Sequence, residues 1–434
     1  MDRTAVSEGV TIKVDVLILG GGIQGVWLLR DLAAAGYSVV LLDIRALGGE
    51  QTCHSHVYLH RGYNYQQTGL ITALGEAHRR WVTCLNQARG LLDGPRPVLG
   101  FTNLADYTKK QAVWDDAKLR PPDTLPEVAW PSPLRNGHVK SCWSTDEEYA
   151  DATVLVSALI QGFEDHTSKI EHVIDMTLSQ HKRGPHTDFG VSEVKVRMPN
   201  GGTLAVQPRA VVLAAGHGNQ QLMDLVARYP ELKPAFANQQ QVRKGHMLVV
   251  KGKLEPLCGI FSLDEAHELF IVSRQDNEDT IWLVSDNRSP ALSSVEDYFG
   301  RGHVRRWLPL VLEGLKNLAP DYFKDDEKKA QWRWGVYEAP KAEGRHTGGL
   351  PTEHVILRVR SVPNVWTVWP TKLTLAPLAS REIVAAIRGE LKAPESSELP
   401  AQWYKVRCQL RLEKERWTQT PLIPWDDFKR CHEV

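Results

Sequence analysis

The feature that most restricts the fold of this chain is a glycine-rich turn between a short apolar segment and a helix-like one. Residues 16–19 are too uniformly apolar for an amphipathic helix, so we predict a strand buried on both faces. Gly20, Gly22 and Gly25 follow as G-x-G-x-x-G. The first glycine permits a tight turn, the second lets a pyrophosphate approach, and the third lets helix pack on strand. The phosphates would lie at the helix N-terminus, where free N–H groups favour negative charge.

An acidic residue follows at the spacing that a dinucleotide site requires. Residues 38–42 form a second apolar strand, and Asp43 ends it 23 residues after Gly20. A carboxylate there can hold the two ribose hydroxyls and would repel a 2′-phosphate. The alternative is a glycine-rich strand–helix turn that binds no ligand.

Residues 45–65 are rich in glycine, hydroxyl and histidine side chains. Thr52 and Ser55 could provide a second grip on the pyrophosphate. His54, His56 and His60 invite comparison with a metal site, but no nearby carboxylate or cysteine pattern completes one. We therefore predict that the protein has no metal site.

Composition excludes several classes of protein. The 434 residues carry a formal net charge of zero, which gives no reason to expect nucleic acid or an acidic membrane surface as a partner. No apolar run approaches the roughly 20 residues of a membrane span, and no signal peptide is recognisable. The six cysteines show no C-x-x-C spacing, which favours free thiols. We expect a cytoplasmic protein without an integral membrane segment.

A second α/β block lies in the middle of the chain. Residues 170–178, 191–198 and 203–206 read as strands, with a hairpin turn at Asn200-Gly201-Gly202. Residues 210–215 form another buried strand, which ends at Gly216, where backbone could lie close to a ligand. Asn219 is placed to cap the next helix.

The order of these parts resembles the D-amino-acid-oxidase-like (DAO) superfamily of FAD-dependent oxidoreductases over residues 14–392. Gln51-Thr52 and the segment containing His60-Arg61-Gly62 are similar to the flavin-contacting segment of L-2-hydroxyglutarate dehydrogenase and aerobic glycerol-3-phosphate dehydrogenase. Lys372-Leu373-Thr374 resembles the Lys-Leu-Thr of the glycerol-3-phosphate enzymes. The resemblance implies FAD as cofactor, with Val173 presenting its backbone to the adenine and Gly216, Lys372 and Thr374 surrounding the ring.

The resemblance also implies an α/β fold, α+β overall, in which a Rossmann-like FAD-binding domain is interrupted by a mostly antiparallel-sheet substrate domain. We assign residues 11–95, 150–235 and 330–392 to the FAD-binding domain, and residues 96–149 and 236–329 to the substrate domain. Residues 393–434 are a C-terminal tail whose role the sequence does not indicate.

The chain departs from the family where a substrate carboxylate is often held. Many amino-acid oxidases of the family carry Gly-Leu-Arg there, whereas this chain has Gly335-Val336-Tyr337. The basic residues that could instead hold a carboxylate or phosphate are Arg61, Arg274, Arg333 and Lys341. Each of them has a solvated surface charge as its alternative.

These observations predict a flavoenzyme that takes a hydride from a CH–OH or CH–NH group of a small, anionic substrate and passes electrons to oxygen or a quinone. His60 is the candidate base or orienting group, because imidazole can accept a proton near neutral pH. The alternative is a histidine that packs on the flavin without proton transfer. Lys372 would stabilise charge at the flavin, and Tyr337 would contact the substrate. The alternatives are a secondary-amine or amino-acid oxidase, and a flavin-binding subunit without catalysis.

Overall fold

The computed structural model describes residues 9–86, 94–183, 186–243, 245–264, 267–286, 303–345 and 353–434. These residues fall into two compact units, each assembled from three stretches of chain. Unit 1 contains the described residues within 1–53, 152–242 and 341–414, and unit 2 contains those within 54–151, 243–340 and 415–434.

The strands are, in chain order, β1 (Val10–Leu19), β2 (Val39–Asp43), β3 (Tyr58–Leu59), β4 (Val98–Phe101), β5 (Asp123–Thr124), β6 (Ser141–Ser144), β7 (Glu148–Tyr149), β8 (Thr167–Lys169), β9 (His172–Arg183), β10 (His186–Arg197), β11 (Thr203–Leu213), β12 (Gln240–Arg243), β13 (His246–Gly252), β14 (Gly259–Asp264), β15 (His267–Asp276), β16 (Asp279–Asp286), β17 (Arg333–Glu338), β18 (Lys341–Gly344), β19 (Val355–Arg358), β20 (Val365–Trp369) and β21 (Ile423–Pro424).

The α-helices are α1 (Ile23–Ala34), α2 (Thr68–Asn86), α3 (Leu104–Asp116), α4 (Ala152–Ile160), α5 (Asn219–Val226), α6 (Lys233–Phe236), α7 (His303–Leu318), α8 (Pro320–Phe323), α9 (Asp326–Ala330), α10 (Ala376–Leu391), α11 (Ala401–Val406) and α12 (Trp425–His432). No helix in the described ranges is long and apolar enough to cross a membrane.

Unit 1 is built on a parallel sheet in the order β8-β2-β1-β11-β20. β19 adds an antiparallel edge, and the β9–β10 hairpin pairs with the first half of β11. Residues 16–19 are almost completely buried, as the apolar run predicted, because the sheet is covered on both faces. The strand itself is longer than predicted and begins at Val10. Residues 203–206 and 210–213, predicted as separate strands, are one continuous strand.

Unit 2 contains a second sheet in the order β21-β17-β13-β16-β15-β14-β4-β6-β5. Its pairs are antiparallel except for β14 with β4. α7 packs on one face, and a cluster of aromatic side chains packs on the other. The fold class is thus the predicted one: mixed α/β, with a Rossmann-like part and a mostly antiparallel sheet.

The boundaries of the units differ from the predicted domains in several places. Residues 330–340, assigned to the FAD-binding domain, belong to unit 2, because β17 pairs with β13. Residues 236–242, assigned to the substrate domain, belong to unit 1. Residues 54–95 were assigned to the FAD-binding domain, but the described part of this range belongs to unit 2. The reason is that β3 pairs with β7 and that Ile71 of α2 packs in the aromatic cluster of unit 2. The C-terminal tail is divided between the units at residue 415.

Candidate active site

The three glycines after β1 lie in the tight turn that the sequence predicted. Gly20 has φ +118°, and a Cβ on it would come within 2.5 Å of the Ala214 backbone. A Cβ on Gly25 would lie 1.9 Å from the Gly20 carbonyl oxygen, so this glycine is needed for close packing of α1 on the turn. A Cβ on Gly22 would meet only Thr52 Oγ1, at 3.6 Å. Gly20 and Gly25 therefore lie where no side chain would fit, whereas space remains beside Gly22.

Asp43 and Thr52 both reach this turn. Asp43 Oδ2 accepts a hydrogen bond from the Gly21 amide at 2.6 Å, and its Oδ1 accepts one from the Arg45 amide at 2.7 Å. Burial raises the pKa of Asp43, although these amide donors oppose the shift. Thr52 Oγ1 accepts a hydrogen bond from the Ile23 amide, the first of α1, at 3.1 Å. Both side chains thus fix the backbone that would contact a pyrophosphate.

Gly216 lies beyond the end of β11 in a left-handed conformation with φ +55°. A Cβ there would meet nothing within 4 Å, so backbone is accessible at this point. The prediction that Asn219 caps the next helix is wrong, because Asn219 is the first residue of α5. Its Oδ1 accepts from the Ala215 amide at 2.8 Å and its Nδ2 donates to the Val368 carbonyl at 3.1 Å. The side chain joins the ends of two neighbouring strands instead.

Lys372 lies in the turn after β20. It is half-buried and precedes a 3₁₀ turn (Leu373–Leu375) that leads into α10. The helix begins at Ala376, directly after this turn, with Pro377 in its first turn. Gln24, in the first turn of α1, donates from Nε2 to the Ala376 carbonyl at 3.3 Å. This contact places the start of α10 beside the glycine turn, as a shared cofactor site requires.

Val173 lies in the first part of β9, where the pairing with β10 is irregular between the Lys195 and Val196 positions. The amide of Ile170, three residues earlier, donates to the Asp43 carbonyl at 2.9 Å. Val173 therefore lies three residues along the chain from a residue that is hydrogen-bonded to the end of β2, which is compatible with an adenine contact.

These features of unit 1 fit a bound dinucleotide. The N-cap of α1 is Gly22, which supplies no side-chain hydrogen bond. Among the described residues, the buried atoms Gln24 Oε1 and Thr371 Oγ1 have no hydrogen-bond partner. Orphaned polar atoms of this kind usually indicate a ligand or water in the functional protein. Thr374, predicted beside the ring, is fully buried in the same turn as Lys372.

In unit 2, His60 follows β3 and is surrounded by aromatic rings. The ring centroids of Tyr58, Phe270 and Tyr65 lie 4.8, 5.6 and 5.7 Å from that of the imidazole. His56 is different, because burial and the nearby Arg274 charge lower its pKa to about 3 and keep it neutral. No cluster of three or more potential metal ligands is found within the described ranges.

Sequence reasoning missed the two acids that hold the His60 segment. The buried Glu147 accepts hydrogen bonds from Tyr58 Oη at 2.9 Å, from the Arg61 amide at 2.7 Å and from the Gly62 amide at 3.2 Å. Burial raises the pKa of Glu147, and its amide donors partly offset the shift. Asp146 pairs with the Arg61 guanidinium. No local motif marks either residue, because these partners lie 85–89 residues away in the chain.

The remaining candidate substrate residues differ in their surroundings. Arg274 forms a buried ion pair with Glu415, at 3.1 Å between Nε and Oε2. Tyr337 is buried and its hydroxyl donates to the His54 carbonyl at 3.4 Å. Arg333 begins β17 with an exposed side chain. Lys341 belongs to unit 1, where its ammonium lies 3.1 Å from Glu343.

Comparison with known proteins agrees with this geometry. The family model for FAD dependent oxidoreductases (DAO) matches residues 15–385. A probable FAD-dependent oxidoreductase of Pseudomonas aeruginosa is 25% identical over 409 residues, which cover 90% of this chain and 95% of that protein.

Solved structures show the same fold. The crystal structure of the Pseudomonas aeruginosa FAD dependent oxidoreductase has a TM-score of 0.69 at 21% identity and covers 95% of this chain and 99% of its own. Glycine oxidase from Geobacillus kaustophilus has a TM-score of 0.62 at 14% identity, with 93% and 99% covered. The FAD-bound L-alpha-glycerophosphate oxidase from Mycoplasma pneumoniae has a TM-score of 0.59 at 15% identity, with 87% and 95% covered. The chain belongs to the DAO family and is an FAD-dependent oxidoreductase.

Proposed function

We propose that this enzyme takes a hydride from a C–H bond that bears a hydroxyl or an amine on a small molecule. The observation that carries the proposal is the Lys372 turn, where a half-buried lysine precedes the start of α10 next to the glycine turn. An ammonium and aligned N–H groups at that place favour negative charge on a neighbouring group. FAD, when bound, supplies the redox chemistry and accepts the hydride.

The remaining roles divide between nucleotide and ring. The residues proposed to hold the nucleotide half are Gly20, Gly22, Gly25, Asp43, Thr52 and Val173, and those proposed to surround the ring are Gly216, Lys372 and Thr374. Support for the first group comes from the hydrogen bonds of Asp43 and Thr52 to the glycine turn. Support for the second comes from the open backbone at Gly216.

His60 is proposed to accept the proton of the substrate hydroxyl or amine, or to orient that group. An imidazole nitrogen is the side-chain group most often used as a general base. Glu147 binds the backbone amides of the two residues that follow His60. A base whose backbone is already fixed loses less conformational freedom when the substrate binds. The aromatic rings around it supply an apolar environment in which a polar contact is strong.

The basic residues proposed to hold a substrate anion differ in how accessible they are. Arg61 and Arg274 would have to leave Asp146 and Glu415 before either could hold a substrate anion. Arg333 is thus the more accessible candidate for an anionic substrate.

Tyr337 stands where many amino-acid oxidases of the family carry an arginine. We therefore infer that a plain D-amino acid, whose carboxylate would lack that bidentate contact, is a poor substrate.

The second candidate is a secondary-amine or amino-acid oxidase. It is favoured by the fold likeness to iminodiacetate oxidase from Chelativorans sp., at a TM-score of 0.59, and to L-proline dehydrogenase from P. horikoshii, at 0.61.

Oxygen or a quinone is the proposed electron acceptor. Oxygen uptake, compared with the reduction of a quinone analogue, decides between these two acceptors.

An anaerobic titration tests the proposal. The FAD-loaded protein is mixed in turn with glycerol 3-phosphate, L-2-hydroxyglutarate, glycine, D-alanine and D-proline, and flavin absorbance is followed. We expect stoichiometric bleaching by one of the two hydroxy compounds, and little by D-alanine or D-proline. Bleaching by D-proline would favour the second candidate, the secondary-amine or amino-acid oxidase. His60→Asn should slow bleaching by about 10²–10⁴-fold, as for other lost general bases. The exposed His138 in unit 2 provides the matched control, His138→Asn.

Rapid oxidation of D-alanine that survives in Arg333→Ala would contradict the inferred substrate class. An unchanged rate in His60→Asn would remove His60 from the mechanism.

A further inference from the structure

The C-terminal segment, residues 415–434, is an integral part of unit 2. β21 pairs with β17, and Trp425 and Phe428 of α12 are buried in the core beside α7. A Cβ on Gly335 would come within 2.8 Å of both Leu422 and the Pro421 carbonyl. The segment therefore packs so closely on β17 that its position is fixed by the sheet.

Glu415, the first residue of this segment, is buried and binds Arg274. Its side chain is 3% exposed, and that of Arg274 is 9% exposed. Arg274 Nε donates to Oε2 at 3.1 Å and Nη2 donates to Oε1 at 3.2 Å, so the two groups meet in a bidentate arrangement. Trp417 Nε1 also donates to Oε2.

The same guanidinium binds three backbone carbonyls. Nη2 donates to the carbonyls of His56 at 3.1 Å and Ala150 at 2.7 Å, and Nη1 donates to that of Ser273 at 3.3 Å. His56 lies two residues before β3, and Ala150 directly follows β7, its partner strand. The Ala150 amide in turn donates to the Val57 carbonyl at 3.1 Å. Arg274 thus contacts the chain next to both β3 and β7, and β3 leads directly to His60.

We propose that Glu415 is a positioning residue, which holds Arg274 so that its guanidinium fixes the His56–His60 segment, and that Arg274 is not a substrate anion clamp. A buried arginine without its carboxylate would turn toward solvent or another anion, because an unpaired charge is costly to bury. The carbonyls of His56 and Ala150 would then lose their donor. The proposal rests on the proposed role of His60 for its effect on catalysis, but not for its effect on the segment itself.

Hydrogen exchange tests the structural part without any substrate. In Glu415→Gln, amide exchange in peptides covering residues 56–60 and 148–150 should rise by roughly tenfold or more. Exchange in β1 and β11 of unit 1 should not change. The control is Asp427→Asn, which removes an exposed ion pair with Arg430 from the same C-terminal segment.

A double variant separates positioning from general stability. In Arg274→Met with Glu415→Leu, apolar side chains replace the ion pair, and such replacements often restore stability. We expect the unfolding midpoint of the double variant to be closer to that of the parent than the midpoint of Glu415→Gln is. Exchange at residues 56–60 should stay high, because the donors to His56 and Ala150 are absent. Unchanged exchange in both variants, or a uniform rise throughout unit 2, would overturn the proposal.

Kinetics with a substrate found by the anaerobic titration provides a further readout. Glu415→Gln should lower kcat with little change in KM, whereas an anion clamp would make Arg274→Lys raise KM with exchange unchanged. The latter result would overturn the proposal. Failure of the proposed function is distinguishable, because it would leave the flavin unbleached in the parent protein while exchange still responded to Glu415→Gln.

Discussion

The glycine turn of unit 1 and the buried charges of unit 2 find their partners at different distances along the chain. In unit 1, the glycine turn is bound by Asp43 and Thr52, whose partners are 22 and 29 residues away in the chain. In unit 2, the amide of Arg61 is bound by Glu147, 86 residues away, and Arg274 by Glu415, 141 residues away. A glycine motif and its acidic residue can therefore be recognised within one short stretch of sequence. The partners of a buried charge in unit 2 become visible only when the chain is folded.

The largest effect that would test this comparison is expected from Gly25→Ala in unit 1. The new Cβ would lie 1.9 Å from the Gly20 carbonyl oxygen, a backbone atom that cannot move without opening the turn. We expect loss of bound FAD and a lower Tm, measured by flavin absorbance after gel filtration and by thermal unfolding. In the control, Gly389→Ala in α10, the Cβ meets nothing within 4 Å, and stability should rise by about 0.5–1 kcal/mol. Full FAD content in Gly25→Ala would show that the turn is not the nucleotide site.

Lys372→Met tests the chemical part of the same unit. A fixed ammonium beside the cofactor favours the reduced flavin, so its loss should lower the flavin reduction potential. The rate of flavin reduction should fall by about 10²–10³-fold while FAD remains bound. Stopped-flow absorbance and potentiometric titration measure both quantities. Lys233→Met, at an exposed lysine that begins α6, is the control. A potential and rate equal to those of the parent would show that Lys372 does not face the flavin.

Glu147→Gln tests whether the buried carboxyl group in unit 2 makes the stability of the protein depend on pH. Burial raises the folded-state pKa of Glu147 above its ordinary value of 4.5, so the folded state favours the neutral carboxyl. This contribution to stability is complete below that value and is lost as pH rises through the folded-state pKa. Relative to the variant, the parent should lose stability as pH is raised above 4.5, which can be measured by comparing about pH 5 with about pH 8.

Urea unfolding at both pH values measures the difference. The exposed Glu127 of unit 2 gives the control, Glu127→Gln, which should follow the parent. A parent and Glu147→Gln with parallel pH profiles would mean that the buried carboxylate is stabilised by its donors as fully as it is destabilised by burial.

The smallest expected effect is at Thr371, in the turn before Lys372. This β-branched residue is fully buried with φ +61°, a left-handed conformation that costs a residue with a side chain about 1–2 kcal/mol. Thr371→Gly should therefore leave the stability of the FAD-free protein unchanged or raise it by up to about 1 kcal/mol. A weaker affinity for FAD in the same variant would assign the buried hydroxyl to the cofactor. A clear loss of stability would show that side-chain packing there outweighs the strain.

Much of unit 1 was predictable because its signals are local. The apolar run, three glycines and Asp43 each restrict the backbone within one strand–turn–helix–strand unit, and the structure places them as expected. Local reasoning failed at Asn219, because the side chain binds the Ala215 amide and the Val368 carbonyl rather than capping its helix. A capping residue and a strand-joining residue have the same local sequence.

The sequence by itself determined the glycine turn and the mixed α/β architecture, because glycine conformations and strand periodicity act over a few residues. Its resemblance to the DAO superfamily indicated the FAD-dependent class. Tertiary structure alone decided that residues 54–86 belong to unit 2 and that Glu147 holds the segment around His60. It also decided that Arg274 is occupied by a residue of the C-terminal segment. A buried charge takes the partner that the packed core brings to it, and no pattern within a short stretch of sequence specifies that partner.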